Sequence, residues 1–167
     1  MIIIFSFLLC ILLENLLLPA LMGPKPVLIT PLFVFALVIY DYNIKLRLVQ
    51  AVIFLTITEF FSASGFGSMV LPFIIVIGLY LWVNRFLDIR TSLRESNSFL
   101  GLFGGAFFLA LLVFIYSYVF LFLELSNNII EVWKLSLILI KTSIYQIWGW
   151  AWVFVVLFRY VYVFQKR

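Results

Sequence analysis

Three ionisable side chains, Glu14, Glu59 and Lys141, fall inside long apolar runs of this sequence. A charge within an apolar span is costly and is a functional hypothesis by default. Two carboxylates also raise acid–base chemistry of the glycoside-hydrolysis type. No nucleophile motif and no polar cleft accompany them, so the sequence reads as non-enzymatic, with no catalytic residues. The chain has no His, and Cys10 is its single cysteine. Imidazole chemistry, an internal disulfide and a thiolate metal cluster are therefore excluded, and no metal or cofactor site is expected.

The elements that must position these groups are membrane helices. Of the 167 residues, 66% are hydrophobic and 11% charged. An average soluble domain is about 45–50% apolar and about 25% charged. A water-soluble fold cannot hide so much apolar surface. The eleven basic residues form no stripe, which argues against nucleic acid. The sequence predicts an all-α, polytopic membrane protein with lipid as its solvent and one domain over 1–167.

Six spans are predicted, at about 2–22, 27–40, 48–61, 69–86, 99–123 and 135–158. The first is not a signal peptide: it lacks a positive start and carries Glu14 within its apolar part. Gly23, Pro24 and Pro26 end it, because proline has no N–H to donate. The second and third spans have cores of about 14 residues, or roughly 21 Å. That falls short of the roughly 30 Å hydrocarbon layer, so flanking residues must contribute. A re-entrant hairpin would strand Lys45 and Arg47 in lipid, at roughly 2.5–3.5 kcal/mol per charge.

Charge supports the count. With six crossings, Lys45, Arg47, Arg85, Arg90, Arg94, Arg159, Lys166 and Arg167 share one side, and Lys25 and Lys134 the other. The basic side is cytoplasmic, which places both termini there. No connection is longer than roughly a dozen residues, so no soluble catalytic domain sits between spans. On this topology Glu14, Glu59 and Lys141 all lie in the outer half, and Lys141 is expected to pair with Glu14 or Glu59. The alternatives are a protonated Glu14, a Glu59 that reaches headgroup water and a Lys141 that snorkels outward. A ligand or ion site built from the three stays open.

Gly101 and Gly105 form a GxxxG stripe at the start of the fifth span, where another helix can approach closely. Packing within the bundle and a partner's membrane helix are both possible. Trp148 and Trp152 share one face of the sixth span, and their position near Arg159 reads as interfacial anchoring.

The stretch Glu59-Phe-Phe-Ser-Ala-Ser-Gly-Phe-Gly-Ser-Met-Val-Leu71 resembles the signature of the rod shape-determining MreD family. That signature has an acidic residue at a helix end, two apolar residues, Ser-Gly, two variable residues, an apolar residue and Gly, then a small-apolar pair. Glu59 stands where the family usually has Asp. Ser62, Phe66 and Gly67 match the Ser, the apolar position and the Gly, and Val70-Leu71 the closing pair. Ala63 replaces the expected Gly. Pro26 before the second span, the basic turn at Lys45 and Arg47, and the aromatic last span ending at Arg159 extend the likeness.

The resemblance implies a non-enzymatic scaffold of the bacterial cell-elongation machinery in the cytoplasmic membrane. Its implied partners are MreC and, through it, MreB filaments and the peptidoglycan synthases. The alternative is a substrate-binding S component of a vitamin transporter, a fold to which MreD-like proteins are thought to be similar. An S component should carry an alanine-rich first span, and here no Ala precedes Ala20.

Overall fold

The computed structural model describes residues 2–17, 20, 28–41, 43–62, 67–87, 99–125 and 129–165. All elements among them are helical. In chain order they are α1 (Ile2–Leu12), α2 (Ile29–Tyr40), α3 (Ile44–Ser62), α4 (Val70–Leu87), α5 (Phe99–Leu125) and α6 (Ile129–Gln165). A π-helical turn, Leu13–Leu17, continues α1. Two helical stretches, Val70–Leu87 and Gly101–Leu123, are long and apolar enough to cross a membrane. Ile3–Leu17 and Ile29–Tyr40 are shorter apolar helices.

α2 is the centre of the molecule. All twelve of its residues are buried, and it contacts α1, α3, α5 and α6. A helix that is apolar all round has no polar stripe to turn outward, so it is stable only when surrounded. At about 18 Å it is too short to match a bilayer alone, but its neighbours enclose it. Phe33 is its hub, with its ring 5.8 Å from Phe154, 5.6 Å from Phe158 and 6.4 Å from Phe54. Phe7 of α1 stacks on Phe54 of α3 at 4.0 Å and 9°. Two buried hydroxyls return to their own helices: Thr58 donates to the Phe54 carbonyl at 2.9 Å and Ser117 to the Val113 carbonyl at 2.8 Å. These bonds satisfy polar groups that no solvent reaches.

Two helix starts differ from the sequence expectation. The residues read as a polar turn before the third span instead begin α3. Asn43 accepts the Leu46 N–H through Oδ1 at 3.3 Å, and Arg47 N–H reaches the Asn43 carbonyl at 3.1 Å. Asn43 is thus an N-cap. Arg47 bridges Asp41 at 2.7 Å and donates to Gln50 at 2.6 Å. The extra turn makes α3 19 residues long, or about 28 Å. α6 begins at Ile129, inside the loop expected over 124–134, and runs 37 residues, or about 55 Å. It contains no proline and only Gly149 as a weak point, so nothing in its sequence stops it.

Candidate functional site

Glu59 is the last-turn acid of α3, and it is buried at 2% exposure. Its Oε2 accepts the Gly67 N–H at 2.9 Å. Its Oε1 accepts the Met69 N–H at 2.7 Å and the Val70 N–H at 3.0 Å. The first N–H groups of a helix have no partner within it. Glu59 therefore supplies what α4 lacks at its start, and its negative charge complements the positive end of the helix dipole. The turn closes with Leu71 N–H on the Gly67 carbonyl at 3.0 Å. Gly67 has φ +86°, a conformation that glycine adopts without steric penalty. Two of the four motif residues, Glu59 and Gly67, are thus joined by a hydrogen bond. Phe66 and the Ser62 side chain lie outside the described residues.

Glu14 repeats the device. It stands in the π-helical turn, where the Asn15 amide donates to the Ile11 carbonyl at 3.1 Å. The Glu14 Oε2 accepts the Thr30 N–H at 2.8 Å, in the first turn of α2. The Thr30 hydroxyl lies near the same carboxylate but out of hydrogen-bonding geometry. Each capped helix carries a proline as its third residue, Pro31 in α2 and Pro72 in α4. Proline is tolerated in the first turn of a helix, where its fixed φ suits the helix and few N–H groups have partners within it. The α1–α2 and α3–α4 hairpins are therefore built alike: an acid on the first helix starts the second. Tyr116 of α5 is an electrostatic neighbour of both carboxylates.

The partners found for the two carboxylates are backbone N–H groups. Lys141 belongs to α6, but its side chain lies outside the described residues, and so does its expected pairing. Among the described residues no three His, Cys, Asp or Glu side chains gather around a point. Cys10 is buried with a free thiol. Each carboxylate thus binds the start of the following helix.

Gly105 packs inside the bundle. A Cβ there would run into the Tyr40 hydroxyl and meet Val155 at 3.5 Å, so the glycine lets α2 and α6 close on α5. Gly101, one turn earlier, is half-buried. Trp148 and Trp152 do share a face: their rings lie 5.4 and 6.2 Å from Phe103 of α5. An apolar cavity of about 210 Å³ opens between α5 and α6, beneath Leu28 and beside Trp148.

The sequence reading missed Thr30, Met69 and Val70 as partners, because they contribute only backbone N–H groups. The signal that could have found the repeated hairpin is an acid followed by a helix whose third residue is proline. No family model, no curated protein and no solved structure matches the chain.

Proposed function

We propose that this chain is a six-span membrane bundle with both termini in the cytoplasm, acting as a non-enzymatic scaffold of the MreD type. In this reading the helices and short loops position MreC-like and peptidoglycan-synthesising partners in a bacterial cytoplasmic membrane. Six helices, all connected by short segments, support the span count. Large apolar side chains on the outside, Phe60 at 75% and Phe86 at 69% exposed among them, are stable in lipid and costly in water.

The observation that carries the MreD-type reading is the Glu59 clamp. Within the stretch that resembles the family signature, the acid accepts the N–H groups of the glycine, of Met69 and of Val70, the first of the closing apolar pair. A carboxylate bonded in this way ties the end of one helix to the start of the next, and a helix pair held in one arrangement offers a partner a surface without a large ordering cost. That both carboxylates accept backbone N–H groups supports a structural role for them.

The test is affinity purification from the native cell in a gentle detergent, with the co-purifying proteins identified. Recovery of an MreC-like protein or peptidoglycan synthases is expected. Recovery instead of paired ATPases with a transmembrane coupling subunit would replace the scaffold with a transporter component.

A further inference from the structure

α5 and α6 make the most extensive helix contact of the bundle, yet they do not close along all of it. Near the start of α5 they meet tightly: a Cβ at Gly105 would lie 3.5 Å from Val155. Further along α5 the two helices part around the apolar cavity of about 210 Å³. Phe107, Leu111 and Ser117 of α5 line it, with Ile144 and Trp148 of α6. The walls are held apart. The Phe107 and Trp148 rings meet edge to face at 6.3 Å. On another face of α5, Leu109, Leu112 and Val113 are buried in the core, so turning α5 to fill the gap would pull them out.

Water does not suit this cavity. A buried water takes two to four polar partners. Among the described lining residues only the Ser117 hydroxyl and the Trp148 indole are polar, and the hydroxyl already donates to the Val113 carbonyl at 2.8 Å. A partner's helix is about 10 Å across, too wide for a gap between helices that touch at Gly105. The mouth opens on the outside of the bundle: Phe107 is 55%, Ile144 48% and Leu111 41% exposed. Phe107 and Leu111 belong to a stretch of α5 apolar enough to cross a membrane, where the medium at that mouth is hydrocarbon. An apolar cavity of about 150 Å³ takes up benzene, so this one has room for a chain segment of roughly eight carbons.

We propose that the cavity between α5 and α6 is a binding site for one acyl chain of a membrane lipid, which enters from the bilayer and lies against Trp148. The proposal rests on the membrane reading of the chain and not on the MreD resemblance. The acyl chain supplies the van der Waals contacts that the apolar walls otherwise lack, which makes the lipid a fixed part of the α5–α6 pair.

Bromine on an acyl chain quenches indole fluorescence on contact, so it reports where the chain lies. Two single-tryptophan forms of the full chain are reconstituted in phosphatidylcholine bilayers with rising fractions of chain-brominated phosphatidylcholine. One keeps Trp148 and the other keeps Trp82, with the remaining tryptophans replaced by Phe. Trp82 is 64% exposed on α4, whereas Trp148 is half-buried. Contact with surrounding lipid alone would therefore quench Trp148 less than Trp82. A chain in the cavity should quench it at least as strongly. Ala110→Leu fills the cavity from the α5 side. It should lower the quenching of Trp148 below that of Trp82 and leave Trp82 unchanged. Ser117→Leu should do the same, and it serves where Ala110→Leu does not fold. Weaker quenching of Trp148 than of Trp82 in the unfilled protein would overturn the proposal. So would quenching of Trp148 that neither substitution lowers. A chain that does not enter bilayers at all would remove the membrane reading, and the site with it.

Discussion

Replacing Glu59 by Gln tests the clamp at the smallest change in volume. Wild-type Glu59 accepts three N–H groups with two oxygens, at 2.7, 2.9 and 3.0 Å. A glutamine has one oxygen. Placed as Oε1, it keeps Met69 and Val70 but turns its NH2 towards the Gly67 N–H. Each kept bond falls from a charged to a neutral one, a loss of about 1 kcal/mol apiece. The Gly67 N–H loses its acceptor, which costs roughly 1–3 kcal/mol, at the lower end because Gly67 is only half-buried. The sum is about 3–4 kcal/mol, or a fall of roughly 10 °C in Tm for a chain of this length. The assay is thermal or denaturant unfolding in one detergent, with Gly67→Ala and the double variant alongside. Gly67→Ala should cost roughly 1–2 kcal/mol through its positive φ. Because the two residues share a bond, the double variant should cost at least about 0.5 kcal/mol less than the sum. A Glu59→Gln protein within about 1 kcal/mol of wild type, or strictly additive costs, would refute the clamp.

Glu14→Gln should be milder, at about 1 kcal/mol, because a glutamine oxygen still accepts the single Thr30 N–H; the same unfolding assay ranks the two acids, and a larger loss than at Glu59 would contradict the geometry. Gly105→Ala should destabilise by roughly 1–3 kcal/mol by driving a methyl into the Tyr40 hydroxyl, and Tyr40→Phe in the same chain should restore part of that loss. Phe7→Ala should cost about 3–5 kcal/mol, and because Phe7 stacks on Phe54, limited proteolysis should then release α1 before the other helices.

The apolar runs and the breakers between them made the helix number legible. They left the helix starts less clear. Asn43 was visible as a polar residue, yet a cap and a loop look alike until its Oδ1 is seen on the Leu46 N–H. The gap between the fifth and sixth spans, with Lys134 in it, was read as a loop, but without proline or glycine after Ile129 the backbone of α6 continues through it. The burial of α2 was hidden for a different reason. In a chain this apolar, a helix surrounded by protein and one surrounded by lipid have the same composition. Glu59 and Gly67 stood out by type and spacing. The N–H groups that Glu59 binds did not, because a backbone donor carries no sequence signature. Gly105 was legible as a place of close approach, whereas its neighbour Tyr40 lies on a helix distant in sequence and was not.

In the proposed six-span topology both acid-capped helix starts lie at the outer face, and labelling from the two sides of the membrane tests this directly. Single cysteines are introduced at Asn43, Ser64, Ser92 and Asn127 in a Cys10→Ala background and exposed to an impermeant thiol reagent in intact cells. Labelling is expected at positions 64 and 127, with protection at 43 and 92 until the membrane is opened. Labelling at 43 together with protection at 64 would invert the bundle, and the same response at 43 and 64 would remove the third crossing altogether.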